Sequence, residues 1–312
     1  MKNIVCFTVL FCIFSIINNC DKKLDSWITQ SETIPFPDTS TIAFMSRDLT
    51  LCISNSNYAK LYRLTFHSAH GPDWSPDKQW LCFVYDFKIW KISYDGTNKI
   101  QLTPSTMRCE SPRFSPDGQK IVFTAIRPGE VRFITDVYIM DSDGNNIQKI
   151  TDNALISPNQ EYIFSWPDWL RNGVQIIFKY AKVEDEPTLI ESHLAIFDLG
   201  NRNLMTISSL DSLYPFNPRP SPIREELLFV SLLLRESGGT DIYRANIDGT
   251  NIQRLTQDKR SGMPDWSPDG DKIIYDYLNV NRIMTIRVMN RDGTNNHQLK
   301  IAGQEFGASP NW

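Results

Sequence analysis

Apolar and polar positions along the chain alternate in short runs that recur with a common shape. Five runs rich in β-branched and aromatic residues, Trp80 to Tyr85, Lys120 to Thr124, Val174 to Phe178, Glu226 to Val230 and Lys272 to Tyr275, each follow a polar break. Their length and composition predict strands. Ahead of them stand near-copies of one anchor: Trp74-Ser75-Pro76-Asp77, Phe114-Ser115-Pro116-Asp117-Gly118 and Trp266-Ser267-Pro268-Asp269-Gly270, with degenerate copies at Trp169 and Pro220. A second strand then runs to a turn at Asp95-Gly96, Asp143-Gly144, Gly200-Asn201, Asp248-Gly249 or Asp292-Gly293, where glycine supplies the positive φ of a tight hairpin. A short segment such as Ile100 to Thr103, Ile147 to Thr151 or Ile252 to Thr256 closes the unit. No stretch keeps a 3.6-residue period, so the body reads as all-β.

Anchors at 74, 114, 169, 220 and 266 repeat at intervals that suit one four-stranded propeller blade, about 40 to 50 residues. Five blades begin inside the chain. Trp312, preceded by Ser309-Pro310-Asn311, stands where a sixth innermost strand is expected to begin, and residues 41–45 and 61–65 supply outer strands that lack an anchor. A six-bladed β-propeller closed by pairing of the C-terminal strand with N-terminal strands follows, because closure removes a free sheet edge.

Composition adds less. The 312 residues are 41% hydrophobic and 22% charged, with net charge −4, so the basic excess of a nucleic-acid binder is missing. The N-terminus stands apart: Lys2 precedes an apolar run from Ile4 to Ile17, too short for the about 20 residues of a spanning helix. Residues 1–19 are read as a signal peptide. The junction Asn18-Asn19-Cys20 resembles a bacterial lipoprotein signal, which would make Cys20 the lipidated first mature residue, with cleavage elsewhere as the alternative. Residues 20–40 become a lipid-anchored tether and 41–312 the propeller, exported to the periplasm or the outer-membrane surface and held there as a monomer without a spanning helix.

The strings Pro264 to Tyr275 and Asp241 to Thr256 resemble the WD-like repeat of TolB-like β-propellers over residues 41–312. That resemblance implies six blades, export and protein binding. It also marks a difference, since TolB itself carries an α/β domain before its propeller and the polar residues between Cys20 and Ser40 are too few for one.

Candidate chemistry is sparse. Ser-Pro-Asp-Gly recurs where a catalytic centre is needed once, so it reads as a turn. Asp141 to Asn146 resembles the start of a calcium loop but lacks the distal Glu, and hairpin geometry is the better account. His67 and His70 are the one close histidine pair, a weak metal signal without a carboxylate at fixed spacing. No Gly-x-Ser-x-Gly elbow is present. Cys52, Cys82 and Cys109 read as small buried hydrophobes with at most one disulfide. No cofactor is expected.

The loops from each outer strand to the next inner strand remain. They gather His67, His70, Arg108, Glu110, Tyr214, Phe216, Arg219, Arg260 and Glu305, with Tyr162, Trp166, Lys259 and Phe306 nearby. Aromatic and mixed charged residues suit a protein or peptide interface at the cell envelope, unless the aromatics belong to the core between blades. The alternative is a carbohydrate-binding or polysaccharide-active propeller, which the resemblance allows because the related oligogalacturonate lyases use a His-centred metal site.

Overall fold

The structure is a computed structural model that describes residues 34–55, 57–65, 68–128, 134–183, 191–232, 238–302 and 306–312. Six four-stranded antiparallel sheets surround one axis. Five are meanders continuous in sequence: blade 1 (69–101), blade 2 (109–149), blade 3 (162–206), blade 4 (215–254) and blade 5 (261–298). In the closing blade the inner strand Ala308–Asn311 pairs with Ala43–Met45, which is followed by Leu51–Ser54 and Leu61–Arg63. Ala43 lies opposite Asn311 and Met45 opposite Ala308. The terminal strand precedes Trp312 instead of beginning there, because the anchor residue stands at the end of an inner strand and the turn after it leads into the second.

That turn is a closed local circuit. The Ser75 hydroxyl donates to Asp77 at 2.5 Å and accepts the Trp80 N–H at 2.9 Å. Ser115 repeats it with Asp117 and Lys120, and Ser267 with Asp269 and Lys272. The closing segment has its own device. Thr103, Thr151 and Thr256 each accept, through the hydroxyl, an N–H from the third strand of their blade at 2.9 to 3.0 Å, and Thr65 does the same in the closing blade at 3.1 Å.

Second strands lie in the middle of a sheet stacked between two others, so both faces are buried and each strand carries a continuous apolar run instead of alternating. Leu81, Cys82, Phe83 and Val84 are all inaccessible, as are Leu227 to Val230. The core therefore sits between blades: Val122 and Val137 of blade 2 pack with Phe164, Phe178 and Phe197 of blade 3. Each such phenylalanine contributes about 1.5–3 kcal/mol by burial. Cys52, Cys82 and Cys109 are buried free thiols within these layers.

Candidate functional site

Aligned on their anchors, the six inner strands share features that shape the axis. Two residues before each anchor stands a proline: Pro72, Pro112, Pro167, Pro218, Pro264 and Pro310. The residue before each proline is left-handed, with φ of 58° at Gly71, 54° at Ser111, 49° at Trp166 and Asn217, 43° at Met263 and 46° at Ser309. Five of these are not glycine, and each such residue costs about 1–2 kcal/mol of strain. In blades 1 to 5 the ladder shifts register at this step, as between His70 and Asp73. An inner strand has no neighbour on its axial side, so a proline that cannot donate is tolerated there and the bulge turns the chain sharply.

One residue on, the side chains form a ring around the axis: Asp73, Arg113, Asp168, Arg219, Asp265 and Asn311. Inner strands of adjacent blades touch all the way round. Arg113 donates to Asp73 at 3.0 Å and Arg219 to Asp168 at 3.1 Å. Asn311 donates to Asp265 at 2.8 Å and to Asp73 at 3.1 Å. The ring also stitches blades through the backbone. Asp73 accepts the Phe114 N–H at 2.8 Å, Asn311 accepts that of Trp74 at 2.8 Å, and Asp265 accepts that of Trp312 at 3.0 Å. Indole N–H groups of Trp169 and Trp266 donate to the carbonyls of Arg113 and Arg219. Burial pushes the carboxyls of Asp73 and Asp168 up despite Arg113, and raises Asp265 to about 6. Three aspartates face two arginines, which leaves the ring one negative charge in excess when all ionise.

Above the ring, on the side where outer strands connect to the next inner strand, lies the mouth of the channel. One half is filled: Trp166 packs against Phe216 with ring centroids 5.2 Å apart, Lys179 Nζ lies 5.3 Å from the Trp166 ring, and Asn217 reaches Met263 Sδ at 3.4 Å. The other half carries Gly71, Ser111 and Ser309, and a Cβ placed on Gly71 would meet nothing within 4 Å. His70 Nε2 and Glu110 Oε2 meet there at 2.7 Å across two blades, both side chains about one-third exposed.

The expected site residues divide accordingly. His70 and Glu110 come together at the mouth. Arg108 is exposed and lies over the Phe87 ring at 4.3 Å, and Arg260 is exposed on the same side, its N–H bonded to Asp258. Tyr214 is half-buried in a left-handed turn. Two expectations need correction. Arg219 is not a loop residue free to meet a partner: it is 6% exposed, inside an inner strand, and held by Asp168. Phe216 is 8% exposed and packs on Trp166, so it belongs to the wall. His67, Glu305 and Cys20 lie outside the described residues. Among the described residues no three His, Cys, Asp or Glu side chains gather as a metal-holding group. The axial prolines and the charged ring were missed by sequence reasoning, although setting the six anchors in register would have exposed both.

A closed six-bladed propeller with a charged axial ring defines the class of protein. The chain belongs to the TolB beta propeller domain family, whose pattern matches residues 85–312. An uncharacterized protein of Agrobacterium fabrum is 26% identical over 259 residues, covering 78% of this chain and 80% of that one. TolB from Acinetobacter baumannii superimposes with a TM-score of 0.67 at 19% identity, over 89% of this chain and 68% of that one. An oligogalacturonate lyase in complex with manganese superimposes at 0.59 with 15% identity, over 86% and 76%. At these identities the solved structures share the fold.

Proposed function

We propose that this chain is a non-enzymatic, exported propeller that binds a protein or peptide partner at the cell envelope through the mouth side. The observation that carries the reading is the form of the mouth. Salt-bridged side chains line the axis beneath it, and the surface above offers polar groups of both signs beside aromatics, the mixture found at protein interfaces. The cavities lined by Ile34, Phe36 and Tyr62 and by Tyr58, His297 and Trp312, of about 270 and 120 Å³, lie away from it, one at the closing blade and the other between that blade and blade 5.

The N-terminal segment supports an orientation. Lys78, in the turn after the first anchor, donates to the Thr41 carbonyl, and Phe36 stacks edge-on against Tyr94 beside the Asp95-Gly96 turn. Residues 34–41 therefore leave from the face of the Asp-Gly turns, opposite the mouth. Lipidation at Cys20 would then direct the mouth away from the membrane. Cys20→Ser should release the protein into the soluble fraction, and unchanged membrane association without an acyl mass on the N-terminal peptide would remove the anchor from the proposal.

A photo-crosslinking residue at Arg108 or Arg260 should capture an envelope protein, whereas one at Asp248 or Asp292 on the opposite face should not. Capture from the turns alone would overturn the assignment of the face. A second reading, binding of acidic polysaccharide, draws on His70 held by Glu110 at the mouth. Oligogalacturonate binding that His70→Ala abolishes would favour it.

A further inference from the structure

The mouth contains a carboxylate without a counter-ion. Asp276 is 5% exposed in the second strand of blade 5, opposite Gly262 of the inner strand. Its Oδ2 accepts one long bond, from the Ser309 N–H at 3.4 Å. No arginine, lysine or histidine among the described residues forms an ion pair with it. A buried carboxylate elsewhere in this protein is treated differently: Asp241 holds Arg254, and Asp136 holds Arg127. Removing a carboxylate from water without pairing it costs several kcal/mol, so an unpaired one calls for a partner that arrives from outside.

The surroundings lead from Asp276 into the open half of the mouth. A Cβ on Gly262 would lie 3.2 Å from Asp276 Oδ1, so glycine is what lets the carboxylate reach past its own inner strand. Ser309, its one donor among the described residues, occupies the left-handed step of the closing blade, and the same step in the next blade is Gly71, where an added Cβ would meet nothing within 4 Å. Ser111 follows, beside Glu110. The filled half carries Trp166, Asn217 and Met263 at the same step, so the opening is made by residue choice and not by the fold. With Oδ2 taken by the Ser309 N–H, Oδ1 is left for a single point-charge contact, which suits a compact ammonium group. A planar guanidinium needs a wider fork.

We propose that the open half of the mouth receives a primary alkylammonium group presented by the partner, with Asp276 as its buried counter-charge. The proposal rests on the mouth being the partner-binding face, and it names the chemistry recognised there.

The test uses the full chain and three probes at equal ionic strength: Nα-acetyl-lysine amide, alanine amide and cadaverine, followed by calorimetry and NMR titration. Binding of the first alone identifies a lysine side chain, of the second an N-terminal amine, and of cadaverine above both a free polyamine, which would overturn presentation by a protein. Asp276→Asn should weaken binding at least tenfold. Gly71→Met offers an independent variant, since Met263 occupies the equivalent step at φ 43°, and it should block the opening while leaving Asp276 in place. No binding of any amine by the wild type, or equal binding by both variants, overturns the proposal. Crosslinking from Arg108 and Arg260 reports separately: a captured partner with no amine site leaves the face assignment standing, and an amine site with no captured partner overturns that assignment instead.

Discussion

Replacing Arg113 with methionine removes the cation that most of the axial ring relies on. Its guanidinium donates to Asp73 Oδ1 and to the Pro72 carbonyl, and its charge also acts on Asp168 and Asp265. Both members of the Asp73–Arg113 pair are largely buried, with side chains 14% and 11% exposed. Breaking such a pair from one side costs about 3–5 kcal/mol, because the surviving charge stays buried and uncompensated. With a urea m-value of about 3 kcal/mol/M, the unfolding midpoint at pH 7.5 should fall by about 1–1.7 M with an unchanged slope. The sign of the pH dependence follows from Asp73. Burial already lifts its folded value above the unfolded 3.8, and losing Arg113 lifts it further. A carboxyl raised on folding holds its proton more tightly in the native state, so stability falls as pH rises from the unfolded to the folded value. The deficit of Arg113→Met relative to wild type should therefore shrink at pH 5.0. Asp73→Asn combined with Arg113→Met should recover part of the loss, giving a coupling of about 1–3 kcal/mol between the two sites. A single variant that loses under about 1 kcal/mol at pH 7.5, or the same amount at both pH values, would refute the argument that the ring is held by paired buried charge.

Three further outcomes are expected. Asp276→Asn should stabilise the free protein at pH 7.5 by up to about 3 kcal/mol, since burial raises Asp276 to about 6, and should flatten the decline in stability between pH 4 and 6; urea midpoints across that range check it. Deleting residues 307–312 should destabilise the whole ring, because Asn311 bridges Asp73 and Asp265 and the strand at Ala43–Met45 would lose its partner; loss of one cooperative thermal transition is the readout, and a shift of only a few degrees would contradict it. Cys52 and Cys109, whose thiols burial pushes up to about 12, and Cys82, raised still more clearly by the same cause, should resist a thiol reagent in the native state and react on unfolding, as mapped by peptide mass.

Much of the fold was legible because each blade repeats a local device. Ser75, Asp77 and the N–H of Trp80 close a turn within six residues, and the same letters recur at Ser115 and Ser267. The apolar second strands announced burial on both faces for the same local reason. Less of the site was legible. Arg219 read as a loop charge because the anchor at Pro220 is degenerate, and its burial follows from Asp168, 51 residues earlier. Asp276 gave no signal at all, since its isolation is a statement about which cations fail to reach it.

The number of blades and the turns between strands were legible in the residues alone, because they depend on contacts a few residues apart repeated at a regular interval, and the shared last blade followed from the count, since strands without an anchor at one end complete the anchor at the other. What the repeats make together depends on contacts between blades. Asp73 meets Arg113 at 40 residues' distance and Asn311 at 238, and His70 meets Glu110, only because ring closure brings equivalent steps of different blades to one axis. The same closure buries one carboxylate without a partner and leaves Gly71 facing open space, and neither property belongs to any residue until its neighbours from other blades are in place.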